Sequence, residues 1–178
     1  PEDWLINGGG DIFMDLAPHD VDFVCWCLRD EVQSVYATAT SSTTALRDAN
    51  VQDCATVVLK FTQGATCSLT MSRRSEAGYD QRCEFFGEKG SVRVDNIHKD
   101  ASVLCDINGE QKSSLMYSFP ERFNDAFAAE MDLFADVILN NAEWVVGEKE
   151  CVAAQTISDA ARRSFAEGKV ITLSPCPR

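Results

Sequence analysis

The sequence predicts an α+β domain: a largely antiparallel sheet with helices on one face. Three observations lead there. One helical stripe opens the chain, a succession of alternating segments joined by short turns fills its middle, and two helical patterns close it. At 178 residues the chain has room for one domain with a sizeable core.

In residues 16–28 the apolar residues Leu16, Phe23, Val24, Cys27 and Leu28 recur at helical spacing, so this stripe is expected to face the core. Pro18 fits such a helix only in its first turn, where no N–H is needed, which places the start near Asp15 to Ala17. Gly8, Gly9 and Gly10 before it read as flexible punctuation.

"SVYATATSS" alternates, and "CATVVLKF" followed by Gln63-Gly64 and "ATCSLTMSR" reads as a hairpin. "RCEFFG" and "SVRVDN" flank Glu88-Lys89-Gly90 as a second hairpin. "SVLCDI" and "QKSSLMYSF" flank Asn108-Gly109 as a third. The expectation is one sheet containing all of them. On the strand at residues 65–73, Thr66, Ser68, Thr70 and Ser72 share one face, with Cys67, Leu69 and Met71 on the other. The polar face suits either water or a second subunit.

Phe123, Phe127, Met131, Phe134 and Ile138 then mark one face of a helix. A second helix spans residues 148–167, with Val152, Ile157, Ala160, Ala161 and Phe165 inward and Gly168 as its stop. A short "VITL" strand returns to the sheet.

Composition narrows the function. A net charge of −12 argues against nucleic-acid binding, and the adjacent pairs Arg73-Arg74 and Arg162-Arg163 read as solvated surface charge. No apolar run approaches the ~18 residues of a membrane span, and the acidic start at Pro1-Glu2-Asp3 is unlike a secretory signal. The eight cysteines contain no CxxC, and Cys25, Cys27, Cys54, Cys67 and Cys83 lie in apolar or alternating segments as small hydrophobes. Reduced thiols in the cytoplasm are expected.

Only two histidines are present. His19 lies four residues after Asp15, and Asp15, His19, Asp22 and Trp26 fall on one helical face. Two readings stay open from the residues alone: a surface residue near a helix start, or an acid–base pair in which the carboxylate holds the imidazole. His98, in "DNIHKD", is expected in an exposed loop. Two scattered histidines do not make a zinc site, and no metal is expected. GxSxG and GxGxxG are both absent, so the chain carries no nucleophile elbow and no dinucleotide cradle.

Four segments resemble the C-terminal domain of the glucose-fructose oxidoreductase / inositol dehydrogenase / rhizopine-catabolism (Gfo/Idh/MocA) oxidoreductases, most nearly the inositol 2-dehydrogenase branch. They are "GGGDIFMDLAPHDVDFVCWCL", "SRRSEAGYDQRCEFFGEKGSV", "FPERFNDAFAAEMDLFADVI" and "GEKECVAAQTISDAARRSFAEGKVITL". The first departs from the family pattern by an extra Gly-Asp before Ile12 and by Pro18, and Ala77 stands where inositol enzymes often have a second tyrosine.

The resemblance implies that residues 1–178 are one C-terminal substrate-binding and oligomerisation domain whose N-terminal Rossmann domain is absent. It casts His19 as the acid–base residue, Asp15 as its partner and Tyr79 as a contact to a polyol or cyclitol hydroxyl. The cofactor it implies is NAD or NADP, bound mainly by the absent domain, which also carries the family's catalytic lysine. The expected activity is hydride transfer from a polyol, inositol-like or sugar carbon, and the isolated chain is expected to be inactive. The open sheet face is expected to pair subunits into a homo-dimer or tetramer. A non-catalytic ligand-binding or dimerisation module keeping the same fold is the alternative.

Overall fold

Alternation along residues 32–72 becomes a sheet because one side of those strands has helices to bury against. In the computed structural model, which describes residues 2–174, the chain begins with α1 (Glu2–Gly8), α2 (Ile12–Asp15) and α3 (Ala17–Leu28). Strand β1 (Val32–Thr40) leads through α4 (Thr44–Asp48) to β2 (Cys54–Phe61) and β3 (Thr66–Ser72). Two hairpins follow, β4 (Cys83–Gly87) with β5 (Gly90–Val94) and β6 (Val103–Asp106) with β7 (Gly109–Lys112). The chain closes through α5 (Phe119–Arg122), α6 (Asn124–Asn140), α7 (Glu148–Glu167) and β8 (Ile171–Thr172).

Two compact units result. The first comprises the described residues up to Arg74 and those from Val145 onward; the second is Ser75–Trp144.

The first unit is built on a four-stranded sheet in the order β3-β2-β1-β8, antiparallel throughout. Val35, Ala37, Ala55, Val57, Leu59, Phe61, Leu69 and Met71 point to one side and are buried. Helix α7 packs there through Ile157 and the small residues Ala154, Ala160 and Ala161, which let the helix lie close to β1. Contact is close enough for Ser164 Oγ to accept from Ala37 N–H at 3.0 Å while donating to Lys169 O at 2.6 Å. Val152, expected inward, is 52% exposed, because it precedes the stretch of α7 that meets the sheet. The opposite sheet face carries Thr66, Ser68, Thr70 and Ser72 as read, all exposed, with Tyr36 and Val58 paired in register beside Ser68.

A buried carboxylate ties the end of β3 to the first helices. Asp53 is fully buried and accepts from Ser42 N–H at 2.8 Å, Ser42 Oγ at 2.5 Å and Arg74 Nε at 3.1 Å, while Arg74 also reaches Glu2 at 2.8 Å. Burial by itself pushes the Asp53 carboxyl up, but the Ser42 donors and the Arg74 guanidinium outweigh it and hold the group below the usual carboxylate value. Its stabilising contribution is therefore complete above the unfolded value of about 3.9 and is lost as pH falls through the lower folded value. Asp53→Asn is expected to cost about 1–3 kcal/mol at pH 7. Urea unfolding should show the difference from the parent narrowing below about pH 4, where the parent carboxylate also takes up a proton.

In the second unit the hairpins depart from the single sheet expected. Each pairs only with itself, β4 with β5 and β6 with β7. The chain leaves the sheet after Ser72, and the segment before β4 is set by Gly78 at φ +124°, where an added Cβ would lie 2.8 Å from Leu115 Cβ. No strand is continuous across that break. His98 also departs from its expected exposed loop: it is half-buried, bridges to Leu115, and its Nδ1–H donates to Ser113 O at 2.5 Å. The apolar face of α6 forms at the spacing read from the sequence, yet none of the helix is buried, with Met131 and Ile138 more than 60% exposed.

Candidate functional site

The Asp15/His19 segment is shaped by three local devices. Asp11 caps α2, its Oδ1 accepting from Phe13 N–H at 2.8 Å and Met14 N–H at 3.1 Å, a residue type and geometry suited to a helix start. Ile12 and Phe13 then go into the core, and the Phe13 ring lies 5.7 Å from that of Phe165 on α7. Leu16 separates the two helices, and Pro18 sits in the first turn of α3 as expected. Asp15 thus ends one helix and His19 begins the next.

The buried residues of α3 are Ala17, Val21 and Val24; of the stripe the sequence suggested, Val24 goes in, Leu16 and Leu28 are half-buried, and Phe23 and Cys27 stay out. Phe23 is 41% exposed and Cys27 is exposed, because α3 meets α7 through its small and β-branched residues and turns the larger side chains outward. His19, two residues from Ala17 and Val21, is consequently exposed.

Asp15 is engaged by a residue that the sequence reading set aside. Arg73 Nη1 donates to Asp15 Oδ2 at 2.5 Å, and Arg73 Nη2 donates to Gly9 O at 2.8 Å. Far from solvated surface charge, the Arg73 side chain is 7% exposed, against 53% for Asp15, and Arg74 beside it serves Asp53 and Glu2. Its backbone N–H is fastened to Asp53 O at 2.8 Å. Nor do the glycines form a flexible spacer: Gly9 is buried, an added Cβ would lie 2.7 Å from Leu5 Cα, and Gly10 takes φ +70°. Arg73 could not have been singled out by spacing, since 58 residues separate it from Asp15.

His19 takes part in no hydrogen bond or ion pair among the described residues. An exposed imidazole whose ring nitrogens are uncommitted can hydrogen-bond a bound hydroxyl. The carboxylate four residues before it is engaged by Arg73.

Tyr79 belongs to the second unit and is held firmly there. Its N–H donates to Met116 O at 2.8 Å, and its half-buried ring meets Phe123 edge-on at 5.7 Å. Asp80 next to it accepts from Arg82 Nε at 2.7 Å and Nη2 at 2.9 Å, and from Asn96 at 2.7 Å. The Arg82 guanidinium, helped by Asn96, holds the Asp80 carboxyl below its ordinary value against the effect of burial. The loop bearing Tyr79 is thereby fixed from both sides.

Elsewhere in the first unit, a cleft of about 650 Å³ runs between α3 and the start of α7, lined by Phe23, Trp26, Val145, Val146 and Lys149 among others. His19 and Asp15 do not line it. Cys25 does, and burial, with Asp22 and then Cys67 and Asp30 nearby, pushes its thiol up to about 11, the opposite of an activated nucleophile. Seven cysteines are free thiols; Cys176 lies outside the described residues. No group of three or more His, Cys, Asp or Glu among the described residues could hold a metal. Nor is any described helix long and apolar enough to cross a membrane.

An α+β domain with Asp15 closing α2 and His19 in the first turn of α3 is the frame, and comparison with known proteins identifies its family. Residues 1–93, just over half of the 178, match the GFO/IDH/MocA C-terminal domain, and the chain belongs to that family. It is 33% identical over 174 residues to a myo-inositol 2-dehydrogenase of Thermotoga maritima, covering 97% of this chain and 52% of that protein. An inositol 2-dehydrogenase of Rhizobium meliloti is 34% identical over 175 residues, with 98% and 53% covered. The crystal structure of a putative myo-inositol dehydrogenase from Sinorhizobium meliloti superposes with a TM-score of 0.90 at 33% identity, covering 98% of this chain and 53% of that one. The chain therefore spans about half the length of the relatives it matches.

Proposed function

We propose that this chain is the substrate-binding and catalytic half of an NAD(P)-dependent oxidoreductase that oxidises a polyol or cyclitol of the inositol type. The observation that carries the reading is His19, exposed and uncommitted one turn beyond Asp15, in a chain whose relatives are inositol dehydrogenases.

In that reaction the secondary alcohol loses hydride from carbon and a proton from oxygen, leaving a ketone. A bound nicotinamide coenzyme supplies the hydride acceptor. His19 takes the hydroxyl proton, and Asp15 steadies the imidazolium that results. Tyr79, on its fixed loop, orients the substrate through a hydroxyl hydrogen bond. The chain has the groups for proton transfer and polyol binding but no glycine-rich phosphate turn, which fits a coenzyme held on another domain. By itself the chain is expected to turn over nothing. The uncovered sheet face, polar but for Tyr36 and Val58, serves in this reading as the surface for pairing subunits, and a cytoplasmic location suits the reduced thiols.

The test is a panel of inositols and sugar alcohols followed at the nicotinamide absorbance. It would be run on the longer protein bearing a nucleotide-binding domain and, in parallel, on this chain alone. Turnover of a cyclitol by the longer protein only is the expected result. Failure on every polyol, with NAD and with NADP, would leave the non-catalytic binding module as the better description.

A further inference from the structure

We propose that Arg73 is a positioning residue for the acid–base pair, holding Asp15 and the glycine turn so that His19 is presented in one orientation; this rests on the role just proposed for His19. Three observations support it. First, the guanidinium divides its two terminal nitrogens between Asp15 Oδ2 at 2.5 Å and Gly9 O at 2.8 Å, clasping both ends of the segment that leads into α3. Second, the arginine is itself fixed: its side chain is 7% exposed, and its backbone N–H is bonded to Asp53 O at the edge of the sheet core. Third, α2 is only four residues long and is held in the core by Ile12 and Phe13, while the Asp15 carboxylate at its end is 53% exposed and has Arg73 as its side-chain partner among the described residues.

A planar fork that binds two acceptors at once sets direction as well as distance, which a lysine at the same place could not do. A guanidinium bonded to Asp15 also limits where its carboxylate can move. Arg73 touches neither His19 nor, in this reading, the substrate, so its effect has to pass through Asp15.

The experiment is a double-mutant cycle in the longer protein with Arg73→Met, Arg73→Lys and Asp15→Asn, joined to hydrogen exchange on the 178-residue chain. Misplacing a catalytic group by about 1 Å costs on the order of 100-fold. Arg73→Met is therefore expected to lower kcat by roughly 10- to 100-fold with KM changed less than about threefold, and Arg73→Lys to fall between. The double variant Asp15→Asn/Arg73→Met should be no slower than Asp15→Asn alone. Losses that multiply, or full turnover by Arg73→Met, would overturn the proposal. Hydrogen exchange gives a reading independent of activity. Amides of Gly9, Asp15 and Leu16 should exchange faster in Arg73→Met, while those of β1 and β2 keep their protection. Unchanged exchange in that segment, or loss spread evenly through the sheet, would overturn it even if no polyol proved to be a substrate. If exchange responds as expected and no polyol reacts, the proposed activity is what fails.

Discussion

In the longer protein bearing a nucleotide-binding domain, His19→Gln will lower kcat on the preferred polyol by about 10²–10⁴-fold, the range that a positioned acid–base group contributes. KM should change by only a few-fold, because in the proposed reaction the imidazole acts on the proton being transferred rather than on substrate affinity. Stability should not move measurably: His19 is exposed and makes no hydrogen bond or ion pair among the described residues, so its replacement removes no buried contact. Initial rates at the nicotinamide absorbance and a urea unfolding curve together provide the check. A variant that unfolds with the parent and turns over at the parental rate would move the acid–base role away from His19. Asp15→Asn is expected to be the milder change, since it leaves the imidazole in place.

The largest stability effect is expected at Phe13. Its side chain is 1% exposed, follows the Asp11 cap directly and packs its ring 5.7 Å from Phe165. Phe13→Ala removes that packing and leaves a cavity under α2, at a cost of about 3–5 kcal/mol. Trp26→Ala is the control. Trp26 is as large an aromatic on the next helix but 69% exposed, and should cost less than about 0.5 kcal/mol. Urea midpoints at unchanged slope would measure both. Equal midpoints for the two variants would mean that the α2–α7 contact contributes nothing to the fold. Because Phe13 lies two residues before Asp15, the proposed function adds that Phe13→Ala in a protein bearing a nucleotide-binding domain, if it still folds, should also lose turnover.

Much of this architecture was legible in the residues. β2 spans Cys54–Phe61 and α7 Glu148–Glu167, the bounds that alternation and the Gly168 stop indicate. Gly168 adopts φ +64°, a left-handed conformation open to glycine without strain. The first-turn position of Pro18 follows in the same way from local backbone sterics, whereas the third hairpin turns at Ile107-Asn108, one residue before the expected Asn108-Gly109, and Gly109 opens β7. The short helices α1, α2, α4 and α5 escaped notice, since four to seven residues carry too little periodicity to register.

What periodicity could not settle was which members of a stripe would be covered. On α3 both Phe23 and Val21 are apolar, and only the approach of α7 decides that Val21 goes in and Phe23 stays out. The same limit applies to charge. Arg73 and Arg74 look alike as a basic pair in the sequence, and local neighbours suggested two solvated side chains. Arg73 is instead buried against Asp15 and Gly9, while Arg74 spans Glu2 and Asp53.

By itself, then, the sequence determined the fold class, most element boundaries and the Asp15-His19 spacing, because those depend on interactions within a few residues of one another. The tertiary structure alone decided that Asp15 is held by Arg73, that Gly9 closes tightly on Leu5, and that each hairpin pairs only with itself. Those outcomes depend on contacts between residues far apart in the chain, and a one-dimensional pattern carries no record of which distant partner arrives.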